Sequence, residues 1–175
     1  MNEDVIKNKI TKKNIKENLS IIILICVCIL SVLLNTFVVQ LADVNGDSMQ
    51  PTLQDGQLLL VSKTHRATND YNRGDIVIFK EGNRFLIKRI IALPNETVQI
   101  IDNDIYINDK KINDFVDVQM DNVGVLSEKI TLKDDEYICL GDNRNNSADS
   151  REFGPVKQSN MVGKVIFRFL PMTTF

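Results

Sequence analysis

The stretch GDSMQPTLQDG, residues 46–56, holds Ser48 between Gly46 and Pro51. A serine hydroxyl is a weak nucleophile and attacks a carbonyl carbon only when an adjacent base takes its proton. Without that base, a serine in a Gly- and Pro-bearing turn is simply a turn residue. The single histidine, His65, lies in the polar stretch KTHRATND, which reads as a loop. The other known base for a serine is a neutral lysine.

Lys88 in RFLIKRIIAL is the candidate. At the period of a strand it shares a face with Leu86 and Ile90, while Arg89 shares the other with Ile87 and Ile91. A lysine walled in by apolar side chains loses proton affinity, because burial penalises the ammonium. To serve as a base near neutrality it has to fall from about 10.4 by roughly 2, a penalty of about 3 kcal/mol on the charged form. The alternative is an edge-strand lysine whose ammonium reaches water along its own stem. Periodicity fits both.

A third segment, GDNRNNSADSREFGPV over residues 141–156, gathers Asp142, Arg144, Asp149 and Arg151 around Ser147 and Ser150. Such a segment is either a solvated loop or a set of hydrogen bonds that orients a catalytic group. Cys139 stands alone in YICLGDN on an apolar run, and Cys26 and Cys28 fall in a long apolar stretch, so the three cysteines make no disulfide framework. No Cys/His spacing suits a metal.

The elements that must carry these residues are short. QLLLVSK, DIVIFK, RFLIKRIIAL, TVQIID, DIYIND, EYICL and VGKVIFRFL are β-branched-rich runs bounded by turn residues. Glu81-Gly82-Asn83 and Asp102-Asn103-Asp104 read as hairpin turns. The fold class expected is mainly β, an antiparallel β-sandwich or partly open barrel behind a single N-terminal transmembrane helix. Residues 113–136 are acidic and irregular and read as a surface excursion.

The helix is expected from the charge pattern. Residues 1–17 carry Lys7, Lys9, Lys12, Lys13 and Lys16 against Glu3, Asp4 and Glu17, and residues 18–42 carry no charge. A span needs about 20 apolar residues, and the preceding lysines predict a cytoplasmic N-terminus. A cleavable signal peptide also fits such a start, but its apolar part is ordinarily about 7–15 residues. The expected organisation is a basic cytoplasmic segment (1–17), a membrane anchor (18–42) and an extracytoplasmic domain (43–175). A formal charge of −2 over 175 residues excludes a strongly basic nucleic-acid binder, and 43% hydrophobic with 25% charged residues is a globular composition.

Taken together, the segments resemble bacterial type I signal peptidases, the serine–lysine leader peptidases, in their compact Gram-positive form. The family's Ser-Met-x-Pro-Thr-Leu stands here as Ser48-Met49-Gln50-Pro51-Thr52-Leu53, and its Arg-Gly-Asp-Ile-Val as Arg73-Gly74-Asp75-Ile76-Val77. Lys-Arg-Val-Ile-Gly-Leu-Pro-Gly-Asp is matched by Lys88-Arg89-Ile90-Ile91-Ala92-Leu93-Pro94-Asn95-Glu96. Gly-Asp-Asn-Arg-x-x-Ser-x-Asp-Ser-Arg is matched throughout Gly141 to Arg151. The departures are Ala92, Asn95 and Glu96, and Gly46 where some members have a serine that assists the oxyanion hole. The extra cysteine pair of larger members is missing.

The resemblance implies that Ser48 is the nucleophile, Lys88 the general base and Ser147 the residue that orients Lys88. It implies an oxyanion hole built on the Ser48 N–H, with Gly46 giving the substrate room, and supporting roles for Arg89, Asp142, Asn143, Asp149 and Arg151. Val44 and Ile87, each near a catalytic residue in sequence, are candidate walls of the substrate pocket. The implied activity is removal of signal peptides from exported preproteins after small residues, at Ala-x-Ala type sites, at the membrane. No metal or organic cofactor is implied.

Rival readings are a self-cleaving repressor, disfavoured by the apolar span, and a non-catalytic or narrow-specificity assembly factor for surface proteins or pili. Retention of both Ser48 and Lys88 argues against a non-catalytic role.

Overall fold

The computed structural model describes residues 18–32, 38–68, 70–169 and 172–174. The chain divides into two units, Met1–Val38 and Val39–Phe175. In the first, residues 18–32 form a helix, α1, whose side chains are exposed along its length. Residues 1–17 and 33–37 of the expected cytoplasmic segment and anchor lie outside the described residues. Among the described residues no helix is long and apolar enough to cross a membrane. The last residues of the range expected as anchor are not helical. They belong to strand β1 (Val39–Asp43), which takes its hydrogen bonds from a neighbouring strand.

The second unit is antiparallel β throughout its pairings. After β1 come β2 (Leu58–Ser62), a short helix α2 (Thr64–Thr68), β3 (Ile76–Glu81), β4 (Arg84–Ala92), β5 (Thr97–Ile101), β6 (Asp104–Ile107) and β7 (Lys110–Lys111). Then follow β8 (Ile130–Thr131), β9 (Glu136–Leu140), helix α3 (Ser150–Phe153), β10 (Val156–Lys157), β11 (Met161–Phe169) and β12 (Met172–Thr174). One sheet runs β1-β2-β11-β3-β4-β9-β10 with β12 beside β11, and the other runs β7-β6-β5-β8. The larger path ends on β1 and β10 and so leaves two edges.

The strand patterns explain this layout. In β3, Ile76 and Ile78 enter one apolar cluster while Val77 and Phe79 enter another, so the strand is covered on both faces and reads as continuously apolar. The β3–β4 hairpin pairs Glu81 with Arg84 around Gly82-Asn83. The β5–β6 hairpin turns at Asp102 and Asn103, both with positive φ (50° and 70°), the conformation that matches strand twist.

Two local readings change. His65, expected in a loop, lies in α2, where its Nδ1 is 3.1 Å from Ser62 Oγ. Residues 113–136 are not only a surface excursion: Met120, Leu126 and Leu132 are buried with Val98, Ile100 and Ile105, and Ile130 pairs with Val98. Isolated apolar residues spaced among acidic ones give no period, so their burial was illegible in sequence.

Candidate active site

Ser48 is held by a turn whose neighbours are buried. Met49 and Leu53 belong to the cluster with Leu59, Val61 and Val165, and Leu53 N–H donates to the Met49 carbonyl at 2.8 Å. Gly46 has φ +91°, which a side chain would strain, and its N–H donates to Asp55 Oδ1 at 2.7 Å. That N–H is therefore engaged, and the space beside Gly46 is open. No atom lies within 4 Å of where a Gly46 side chain would begin.

Lys88 arrives from the middle of β4, paired with Val77. It is 2% exposed, so its ammonium does not reach water along the stem. Its Nζ lies 2.7 Å from Ser48 Oγ. Burial pushes Lys88 down to about 8, against the opposing pull of Asp149, Cys139 and Asp142 and with help from Arg151. Desolvation therefore outweighs the nearby acids, and the neutral amine is within reach of ordinary pH. In that state the serine hydroxyl donates to Nζ, which is the arrangement a general base requires.

A cavity of about 250 Å³ opens onto this pair, lined by Ser48, Lys88, Gly46, Val44, Ile87, Ile78, Ala42 and Phe85 among others. Both candidate wall residues, Val44 and Ile87, thus face the same space as the serine and lysine.

Beneath the pair lies a network drawn from distant segments. Arg89 donates through Nε to Asp142 Oδ1 at 2.9 Å and through Nη2 to Oδ2 at 2.5 Å. Thr52 Oγ1 donates to the same Oδ2 at 2.5 Å, tying the serine turn to the 141–151 loop. Asn143 N–H donates to the Ser48 carbonyl at 3.0 Å, and Asn143 Nδ2 to the Asp47 carbonyl at 3.1 Å. Burial would raise the Asp149 carboxyl, but hydrogen bonds from Arg151 and the Gly141 N–H hold it below its usual range. Arg151 Nε and Nη2 reach Asp149 at 2.9 and 2.8 Å. Cys139 is buried in β9 and burial pushes its thiol up, so it stays protonated and unreactive.

Ser147 Oγ is buried and makes no hydrogen bond within normal geometric limits. It is near enough to Asp149 to be the weakest of the influences lowering that carboxyl. It packs against Gly141, where an added Cβ would fall 2.1 Å from Ser147 Oγ and 2.5 Å from the Ser48 carbonyl oxygen. The loop thus closes on the serine turn because residue 141 has no side chain.

The departures at 92–96 fit their surroundings. Ala92 is buried next to an irregularity in the β4–β9 pairing. Asn95 takes φ +65°, a left-handed conformation asparagine tolerates. Glu96 accepts from Arg73 Nη2 at 2.6 Å and from the Leu93 N–H at 2.7 Å, closing the turn.

Sequence reasoning placed Arg144 in the 141–156 segment but not its partner, and it missed Thr52, Asp114 and Phe115 around this site. Thr52 and Arg144 lay inside quoted motifs, but their partners are remote. Arg144 pairs through both Nη atoms with Asp114, at 2.7 Å for Nη2, and the Arg89 guanidinium lies 5.2 Å from the Phe115 ring centre.

Known proteins share this organisation in sequence. Signal peptidase I of Bacillus amyloliquefaciens is 34% identical over 174 residues, covering 94% of each chain. Signal peptidase I V of Bacillus subtilis (strain 168) is 38% identical over 135 residues, covering 70% of this chain and 80% of that protein. A crystal structure of a signal peptidase I from Enterococcus faecalis V583 aligns at 29% identity and a TM-score of 0.45, over 54% of this chain and 96% of that one. The model of the family described as signal peptidase, peptidase S26, matches residues 15–170, a range that takes in the serine turn, β4 and the 141–151 loop alike. With the site's segments all inside one match, the chain belongs to the signal peptidase family, peptidase S26.

Proposed function

We propose that this chain is a membrane-anchored serine endopeptidase that removes N-terminal signal peptides from exported preproteins, cutting after small residues by a Ser48–Lys88 dyad. The observation that carries the reading is the 2.7 Å approach of Lys88 Nζ to Ser48 Oγ beside an open cavity. Neutral Lys88 takes the Ser48 proton as Oγ attacks the scissile carbonyl, and the resulting ammonium gives that proton to the leaving amine. A water then attacks the acyl-enzyme with Lys88 again as base, which releases the carboxylate and restores both side chains. The Ser48 N–H receives the developing oxyanion. By the family resemblance Ser147 orients the lysine during turnover, although its buried Oγ makes no hydrogen bond to Lys88 in this structure.

The cavity is small and its walls at Val44, Ala42, Ile78 and Ile87 are apolar, which suits alanine-sized side chains of an extended substrate. The charge-free run before β1, preceded by lysines, supports anchoring in the bilayer with the N-terminus cytoplasmic and the β unit from Val39 onward outside. Arg89, Asp142, Asn143, Asp149 and Arg151 hold the serine turn, β4 and the loop in register.

The test uses the full chain in detergent with a preprotein carrying an Ala-x-Ala site. Cutting at that site, lost in both Ser48→Ala and Lys88→Ala variants that remain folded, is the expected result. A folded parent that leaves several such preproteins intact overturns the reading and leaves the assembly-factor role.

The pH dependence is a second check. Lys88 is active only when neutral, so kcat/KM should rise about tenfold per pH unit below about 8 and level off above it. A limb centred near 6.5 would assign the base to a histidine instead.

A further inference from the structure

The segment at Asp114 and Phe115 lies outside the regular strands, between β7 and β8, and none of its residues lines the cavity at Ser48. Its two side chains nevertheless grip two arginines that come from different parts of the site. Asp114 forms a two-pronged ion pair with Arg144, whose side chain is fully buried and whose Nε donates to the Gly141 carbonyl at 3.0 Å. Phe115 lies over Arg89, whose guanidinium is already committed to Asp142 and, through Nη1 at 2.9 Å, to the Gly74 carbonyl. The Phe115 ring also rests on the Gly74 α-carbon, where a Cβ would come within 2.7 Å of it. Asp114 Oδ1 accepts the Phe115 N–H at 2.7 Å as well, so the two grips are coupled at one point of the chain.

An aromatic residue that is 44% exposed is ordinarily a surface accident. Here the two arginines that Phe115 and Asp114 hold each adjoin a segment of the site. Arg89 follows Lys88 directly, and Arg144 holds the carbonyl of the glycine that lets the 141–151 loop meet Ser48.

We infer that Asp114 and Phe115 form a clip that positions the catalytic pair from outside the substrate cavity, with Phe115 shielding the Arg89–Asp142 ion pair from water and Asp114 fixing the loop at Gly141. The inference rests on the Ser48–Lys88 reading of the site. The clip acts through other residues, and so Asp114 and Phe115 are positioning residues. A cation over an aromatic face is held best when water is kept away, and in the Arg89–Asp142 pair it is Arg89 that keeps some exposure, 13% against 0% for Asp142.

Loosening the clip has a signature at Lys88. The charged or titratable groups that act on it are Asp149, Cys139, Asp142 and Arg151. Water entering at Arg89 leaves Asp142 less compensated, and a freer carboxylate near Lys88 favours the ammonium. The proton affinity of Lys88 therefore rises when the cap is removed.

The experiment compares the full-length parent with Phe115→Ala, Phe115→Trp, Asp114→Asn and, as a matched destabilised control, Val98→Ala in the smaller sheet. Phe115→Ala is expected to lower kcat about tenfold with KM within about twofold, since misplacement and not binding is affected. Its kcat/KM limb moves to higher pH, and Phe115→Trp restores both. Asp114→Asn lowers kcat likewise, while Val98→Ala lowers thermal stability without moving the limb. NMR titration of the Lys88 side chain reads the same displacement with no substrate present. If peptides are not cut but the Lys88 titration still moves in Phe115→Ala, the peptidase reading falls and the clip stands. A limb and a Lys88 titration at the parental pH in Phe115→Ala overturn the clip, as does a kcat loss no greater than that of Val98→Ala.

Discussion

Lys88→Met should abolish peptide cutting and at the same time make the protein more stable at neutral pH. The loss of the base is expected to cost about 10³-fold or more in kcat, the upper part of the range for general-base catalysis, because Ser48 has no other base nearby. The gain in stability comes from the same burial that makes the lysine useful. Its folded pKa of about 8 lies below the unfolded value of about 10.4, so at pH 7 the folded protein carries a desolvated ammonium at a cost of about 3 kcal/mol. Methionine has a similar length, no charge and an adaptable shape, and it fills the site without that penalty. The sign with pH is specific. Between about 8 and 10.4 the unfolded chain binds the proton that the folded one has released, so the parent gains stability as pH rises through this window. The advantage of Lys88→Met is therefore largest below pH 8 and shrinks toward zero above pH 10.4. Thermal denaturation of both proteins at pH 7 and pH 10 reads this directly. A methionine variant less stable than the parent at pH 7, or an advantage that does not change with pH, would show that the ammonium is solvated.

Gly141→Ala should lose most activity without touching a reacting group. The added carbon would lie 2.1 Å from Ser147 Oγ, 2.6 Å from Ser147 Cβ and 2.5 Å from the Ser48 carbonyl oxygen, distances that real Cβ atoms do not adopt. A serine side chain can turn away, but the Ser48 carbonyl is backbone and is also held by the Asn143 N–H at 3.0 Å. Relief must come from moving the Ser48 turn away from the 141–151 loop. A displacement of about 1 Å at a reacting centre costs on the order of 10²-fold in rate, and overpacking costs about 1–3 kcal/mol in stability. Removing Ser147 as well, in Gly141→Ala/Ser147→Gly, relieves two of the three contacts and leaves the backbone one, so rescue should be poor. Single-turnover cutting and thermal denaturation of both variants decide the matter. Activity of Gly141→Ala within about threefold of the parent would mean that the loop yields elsewhere and that its closeness to Ser48 is incidental.

The strands were readable because their signals are local. DIVIFK and RFLIKRIIAL carry β-branched residues on either side of Glu81-Gly82-Asn83, and any chain with that pattern gains by pairing them. Ser48 and Lys88 were readable only as members of motifs in a fixed order; taken singly, one is a turn serine and the other a strand lysine. The apolar run misled at its end. Residues 39–42 continue the hydrophobic stretch in sequence, yet they form β1 because β2 offers them a ladder of hydrogen bonds. The 113–136 stretch misled for the opposite reason, since its buried Met120, Leu126 and Leu132 are scattered among acidic residues and pack with Val98, Ile100 and Ile105, which lie earlier in the chain.

The amino-acid order was sufficient for most of the strands, for the antiparallel class and, through motif order, for the family. It was silent on whether Lys88 is charged, because that depends on how much water its neighbours exclude, and those neighbours come from β9, the 141–151 loop and the serine turn. It was silent likewise on the grip of Asp114 and Phe115 on Arg144 and Arg89, residues that lie 30 and 26 positions away along the chain. Strand patterning acts over a few residues, whereas desolvation and ion pairing depend on distances through space, and these exist only once the chain has folded.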